Sequence, residues 1–162
     1  MSNTSFRIGK NVWALALAVV TSLRGTCLRR KVGCVLLDNQ GQVMSTGYNG
    51  VPSGMPHCGE QGCTCSAAKS ASGTNLDGCQ AVHAEQNALL QCRDVGSIRS
   101  AYVTCSPCMT CTKLLMNTGC QEIFFLEEYP ASGAKELWLQ SGRRWTKLEE
   151  KSLRELTGLA AQ

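Results

Sequence analysis

Two short segments do most to restrict how this chain can fold. His83-Ala84-Glu85 and Pro107-Cys108-Met109-Thr110-Cys111 lie well apart in sequence, and each stands at the opening of a stretch that reads as a helix. Together they supply one imidazole, two thiols and one carboxylate. Two cysteines separated by two residues at a helix start can face a single ion, and the positive end of the helix favours their thiolate forms. With His83 added, the three ligands suit Zn²⁺ and leave its fourth tetrahedral position to water.

Three protein ligands bring the pKa of a zinc-held water to about 7, and using that water still requires a proton carrier beside the metal. Glu85 is the carrier the spacing offers. It can take a proton from the water and later give one to a leaving group. The pairing of His-x-Glu with Pro-Cys-x-x-Cys resembles the zinc nucleobase deaminases, which implies attack at C4 of a pyrimidine, with Glu85 protonating ring nitrogen N3 and then the departing amine. A structural zinc knuckle is the alternative for Cys108 and Cys111, but it gives no reason for a carboxylate two residues from the histidine.

The remaining composition agrees with a globular chain. The 162 residues are 43% hydrophobic and 17% charged, which suits one domain spanning 1–162. No apolar run reaches the roughly 18 residues of a membrane span, and residues 12–20 lack the flanks of a signal peptide. Eleven cysteines, an odd number, in a chain without an export signal point to a reducing, cytoplasmic setting where thiols bind metal. The net charge of +4 is too small to announce a nucleic-acid binder. Arg24, Arg29, Arg30 and Lys31 gather in one segment, which reads either as a solvated loop or as a site for a small anion such as a nucleotide phosphate.

Residues 11–23 predict a largely buried helix, and residues 32–37 and 42–47 a hairpin around the Asp38-Asn39-Gln40-Gly41 turn. From about 51 to 80 the chain is rich in Gly, Pro, Ser and Cys and poor in core residues, an irregular insertion. Helices are predicted over 83–92, from 106–107 to a stop at Gly119, and over 133–140. Strands are predicted over 101–104, 122–126 and 144–148. This alternation favours a three-layer α/β/α domain on a mixed sheet of about five strands.

The upstream segments Cys27-Leu28-Arg29-Arg30-Lys31-Val32-Gly33 and Thr46-Gly47-Tyr48-Asn49-Gly50-Val51-Pro52-Ser53-Gly54 closely resemble the deoxycytidylate deaminases. Met55-Pro56-His57-Cys58 and His83-Ala84-Glu85-Gln86-Asn87-Ala88 are similar to the bacterial and phage branch of that family. The resemblance covers about residues 10–150. It implies the cytidine-deaminase fold, conversion of dCMP to dUMP, a homo-oligomer that is often a hexamer, control by dCTP and dTTP, and action in the cytoplasm, the host's in the case of phage proteins.

Among substrate contacts, the Gly-Tyr-Asn-Gly turn lets the backbone approach a ligand, with the Asn49 side chain on the deoxyribose. Tyr129 matches a tyrosine of related enzymes and serves the nucleotide's base or phosphate, or else only packs. Lys31 is the choice for the 5′-phosphate, with Arg29 and Arg30 of equal chemistry. The Ala84 N–H and the Ser106 carbonyl, each beside a metal ligand, are placed to hold the reactive edge of the pyrimidine.

The insertion needs something other than a core to order it, and a second, structural zinc is the candidate. Related deaminases resemble this arrangement, with Cys27 and Cys58 at matching positions. The expected ligands are Cys27, Cys58, Cys63 and Cys79, with His57 and Cys65 as substitutes; several free thiols are the alternative. Cys34, Cys92, Cys105 and Cys120 are read as structural. Two rival functions stay open on sequence: a tRNA or nucleic-acid deaminase with the same chemistry, and a non-catalytic zinc-binding module.

Overall fold

The computed structural model describes residues 7–62, 65–71, 74–75, 78–130 and 133–149. Five strands form one sheet in the order β2-β1-β3-β4-β5: β1 (Gly33–Asp38), β2 (Val43–Tyr48), β3 (Ile98–Cys105), β4 (Glu122–Glu127) and β5 (Arg144–Lys147). β1 runs antiparallel to both β2 and β3, whereas β3, β4 and β5 are mutually parallel. The expected mixed sheet of five strands is therefore present.

Alternation along the strands divides the core in two. Val35, Leu37, Tyr102 and Phe124 point to the face covered by Ala14, Leu15 and Ala18 of α1 (Lys10–Ser22). There Tyr102 stacks on Phe124 with ring centroids 4.9 Å apart, and its hydroxyl donates to Asn11 Oδ1 at 2.8 Å. Cys34, Leu36, Ala101, Val103, Ile123 and Phe125 point to the other face. That face is covered by α2 (Ala84–Gln91), α3 (Met109–Met116) and α4 (Ala134–Gln140), which contribute Ala88, Leu115 and Trp138 among others.

Several of the sequence-based boundaries move. His83 and Cys108 are not inside helices but are the N-cap residues of α2 and α3. Pro107 thus precedes the cap instead of sitting in the first turn, and α3 ends at Met116, before Gly119. β3 is longer than expected, since Ile98 and Ser100 extend it backwards along β1.

The glycine at 47 sets the depth at which α2 sits. A Cβ there would run into the Ala84 carbonyl and the Ala88 amide, so only a residue without a side chain lets α2 lie directly on β2. Ser45 adds a hydrogen bond of 2.8 Å to the Ala88 carbonyl from the same strand.

The insertion departs from the sheet at Gly50 and returns at Val82, where the two backbones exchange a pair of hydrogen bonds of 3.2 and 2.8 Å. Between them the described residues contain one short 3₁₀ turn, Ser66–Lys69. Its tethers to the body are polar: Arg29 donates to the carbonyls of Ala71 and Thr74, and Thr26 Oγ1 lies 3.2 Å from His57 Nδ1.

Candidate active site

The chemistry-bearing residues gather at the carboxyl ends of β3 and β4, where the sheet changes from parallel pairing to the antiparallel β3–β1 pair. The carboxyl ends of the parallel strands are where open α/β sheets bind ligands. One cleft there is lined by Asn49, His83, Ala84, Glu85, Ser106, Cys108 and Tyr129 among others.

Each helix start has a separate local reason for its place. At α2 the His83 backbone N–H donates to Gln86 Oε1 at 2.9 Å, the reciprocal arm of a capping interaction. Asn87 Nδ2 donates to the Tyr48 carbonyl at 2.8 Å and ties the first turn of the helix to the end of β2. In the run His83 to Asn87, therefore, one residue supplies a ligand, Ala84 packs, Glu85 enters the cleft, and the last two hold the helix down. At α3 the Thr112 N–H closes the first turn on the Cys108 carbonyl at 2.9 Å.

This brings His83 Nδ1 to 3.5 Å from Cys108 Sγ and 3.4 Å from Cys111 Sγ. The three ligand atoms lie within 4.8 Å of one another, the one such group among the described residues. The thiols are strongly coupled. Cys108 is held down to about 4, first by the hydrogen bond from Cys111, and Cys111 is pushed far up, first by its bond to Cys108 and then by burial. His83 is raised, chiefly by its hydrogen bond to Cys108. One thiolate, one thiol and an imidazole crowded together are a donor set that a dication neutralises, and the residues fit zinc.

Glu85 is 4% exposed, and burial raises its carboxyl to about 7 against an ordinary 4.5. A carboxyl tuned to neutrality beside a metal-ligand cluster is suited to carrying protons in both directions.

The structure also shows where the other expected residues stand. Ala84 and Ser106 are buried in the cleft wall, and Ser106 Oγ accepts from the Tyr129 backbone N–H at 2.8 Å, fixing the tyrosine on that wall. Asn49 lines the cleft with its amide engaged: Oδ1 accepts from the Val32 N–H and Nδ2 donates to the Arg30 carbonyl, both at 2.8 Å. Lys31 is exposed and lies outside the cleft wall, whereas Arg29 and Arg30 line it.

Of the cysteines expected in a second site, Cys63 lies outside the described residues. Cys27 and Cys79 reach the cleft wall. The Cys65 thiol is lowered from its ordinary pKa, first by hydrogen bonds from the Gln80 and Ala67 backbone and then by hydrogen bonds with the free thiols of Cys58 and Cys79. Cys105, read from sequence as structural, lines the cleft and receives Arg30 Nη1 at 2.8 Å. Only its place at the end of an apolar strand, just before the Ser106-Pro107-Cys108 corner, could have drawn attention to it.

A five-stranded mixed sheet carrying a histidine, two cysteines and a buried glutamate at two helix starts defines the cytidine-deaminase-like class of α/β proteins. Residues 9–127 match the cytidine and deoxycytidylate deaminase zinc-binding region, and the chain belongs to that family. It is 36% identical over 126 residues to deoxycytidylate deaminase of Schizosaccharomyces pombe, covering 76% of this chain and 39% of that protein. It therefore spans about two fifths of that relative's length. Deoxycytidylate deaminase of Mycobacterium phage D29 is 35% identical over 120 residues, 70% of this chain and 91% of the phage protein. Among solved structures, the dCMP deaminase of cyanophage S-TIM5 in complex with dCMP and dUMP superposes with a TM-score of 0.65 at 27% identity, covering 83% of this chain and 93% of that one.

Proposed function

We propose that this chain hydrolyses deoxycytidylate to deoxyuridylate and ammonia. The observation that carries the reading is the buried Glu85 carboxyl beside His83, Cys108 and Cys111 in a cleft whose wall holds two arginines. Likeness to the phage D29 enzyme over 91% of its length, and to a structure that holds dCMP and dUMP, supports the choice of substrate.

His83, Cys108 and Cys111 would hold the zinc, which supplies a polarised water that is nucleophilic near neutral pH. Glu85 takes a proton from the attacking water and passes it to N3 as C4 becomes tetrahedral. It then carries a second proton to the departing amine, so that water and dCMP become dUMP and ammonia. The Ala84 N–H and the Ser106 carbonyl hold the reacting edge of the base, and Tyr129 flanks the nucleotide. Asn49 offers the deoxyribose the amide hydrogen that Arg30 does not use.

The reading extends to a structural zinc in the insertion, with Cys58, Cys65 and Cys79 as thiol donors and Cys27, Cys63 or His57 completing the set. Contact of the Cys65 thiol with Cys58 and Cys79 supports it. The family resemblance supports a hexameric homo-oligomer, a cytoplasmic setting, one domain over 1–162 and control by dCTP and dTTP. No helix of the described residues is long and apolar enough to cross a membrane.

Turnover of dCMP, 5-methyl-dCMP, dCTP, deoxycytidine, single-stranded DNA and tRNA, with and without dCTP and dTTP as effectors, tests the proposal. The expected result is highest kcat/KM on a deoxycytidine monophosphate. Preference for a polynucleotide, or no turnover by zinc-loaded protein, overturns it.

A further inference from the structure

Arg30 occupies an unusual position in the cleft. Its Nη1 donates to the Cys105 thiol at 2.8 Å and sits 3.2 Å from Glu127 Oε2. The two charges are unequally placed, because the Arg30 side chain is 32% exposed and that of Glu127 is 68% exposed. The backbone beneath the arginine is fixed by Asn49, which bonds to the Arg30 carbonyl and the Val32 N–H. Cys105 and Asn49 therefore hold Arg30 in the cleft wall, and Glu127 approaches from solvent.

Arg29, the other arginine of the wall, has different partners. It donates to two neutral acceptors, the Ala71 and Thr74 carbonyls, and among the described residues no carboxylate pairs with it. In the free protein one cation of the wall is thus neutralised by a carboxylate and the other is not.

We infer that Glu127 is an internal stand-in for the substrate's 5′-phosphate: it occupies Arg30 in the free enzyme and is displaced when the phosphate dianion arrives. This rests on the nucleotide reading of the cleft. The physical basis is an exchange of partners. A largely exposed ion pair is weak because water screens it and the long side chains lose freedom in forming it. A phosphate presents several charged acceptors to the planar guanidinium and binds it in a two-pronged, charge-assisted way. A dianion facing both Arg29 and Arg30 can displace one carboxylate. A nucleoside without phosphate cannot, and meets a wall already half neutralised. Glu127 thereby tempers the affinity for the monophosphate, which must displace it, whereas a nucleoside binds without that exchange.

Steady-state kinetics of the zinc-loaded full chain on dCMP and deoxycytidine, comparing wild type with Glu127→Gln and Arg30→Gln, test the exchange. Removing the competitor should lower KM for dCMP by about 3- to 10-fold relative to KM for deoxycytidine, within the range of weak ion-pair effects. Arg30→Gln should cut the preference for dCMP over deoxycytidine in kcat/KM by about 10-fold or more, as loss of a charge-assisted phosphate contact does. If Arg30→Gln does not fold, Arg30→Met, which keeps the aliphatic stem and removes the charge, takes its place, and a preference that survives loss of the charge overturns the inference. So does a KM for dCMP that is unchanged or raised in Glu127→Gln, since Glu127 then serves only to position Arg30. Wild-type protein that turns over dCMP while the variants behave in that way sinks the exchange alone. Wild-type protein with no activity on dCMP sinks the nucleotide reading together with it.

Discussion

The metal-ligand corner and the cysteine-rich insertion contain the same kinds of side chain and are ordered in opposite ways. At the corner, His83 and Cys108 are the caps of two helices whose inner faces lie in one core with Ala88, Leu115, Val103 and Phe125. The ligand atoms are brought together by two helices packed in the core of the sheet. In the insertion, residues 51–80, Cys58 and Ala67 are buried, and a two-bond bridge, Arg29 and Thr26 attach it to the rest. Thiols on a packed frame make a prepared site, whereas thiols on an unpacked loop need a cation to order the loop around them.

The largest effect should come from the carboxyl that makes the corner more than a metal clip. Glu85→Gln should lower kcat by about 10³- to 10⁴-fold, since one group handles every proton transfer, while bound zinc per chain stays the same. Turnover retained by that variant would reduce the corner to the same structural status as the insertion. The same residue gives a pH test in metal-free protein. Burial lifts the folded carboxyl to about 7 from 4.5, so the folded state holds its proton more tightly than the unfolded one. Its stabilising contribution is complete below the unfolded value and is lost as pH rises through about 7. The stability difference between Glu85→Gln and wild type should therefore grow between those limits, by about 3 kcal/mol in favour of the variant. Urea unfolding of chelated samples at several pH values measures it, and a difference that does not vary with pH would contradict the buried carboxyl.

Packing at the corner can be broken without touching a ligand. Gly47→Ala places a methyl against the Ala84 carbonyl and the Ala88 amide, forcing α2 outward with His83 and Glu85 on it. A shift of about 1 Å in reacting groups costs on the order of 10²-fold in rate, and overpacking adds about 1–3 kcal/mol of destabilisation. The matching change in the insertion is Gly54→Ala, where φ is +85° and nothing lies within 4 Å. It should cost only the backbone term, about 1–2 kcal/mol at most, and leave kcat/KM within about twofold. Equal losses in the two variants would show that the insertion is as tightly coupled to the chemistry as α2.

The two regions also differed in how far the sequence revealed them. The helices beside His83 and Cys108 were legible from apolar spacing, although their first residues were placed one to three positions too early, and the alternation of helices and strands after the hairpin pointed to the mixed sheet. The partners of Asn49 were not legible, because its amide turns back onto residues 30–32, a contact set by how β1 and β2 enter the sheet. Cys105 went unremarked as a cleft residue, and Glu127 as its neighbour, for a similar reason, since only the parallel register of β3 and β4 sets them side by side next to Arg30. Lys31 and Arg30 carry the same charge, and which of them faces the cleft depends on the direction of an irregular segment. In the insertion no periodicity ranks one cysteine over another, so the prominence of Cys65 emerged only from its contacts with Cys58 and Cys79.

Cys65 therefore provides the mildest and most local test. Its thiol hydrogen-bonds with Cys58 and Cys79, and Cys79 in turn lines the cleft two residues before Ala81 and four before His83. If these thiols hold a second zinc, Cys65→Ser should reduce zinc from about two to about one per chain, because a structural site with one thiolate missing binds much more weakly. The corner stays assembled by its own packing, so kcat should change little. KM should rise by about two- to fivefold as the 79–82 segment of the cleft wall loosens, an effect on binding that is uniform along the reaction. The insertion should at the same time become the first site of proteolytic cleavage, in keeping with local opening of a segment with few buried contacts. Metal analysis, steady-state kinetics and limited proteolysis read these three outcomes separately. One zinc per chain in both wild type and Cys65→Ser would mean that Arg29, Thr26 and the Gly50–Val82 bridge hold the insertion unaided, and that the contrast with the corner lies in packing alone.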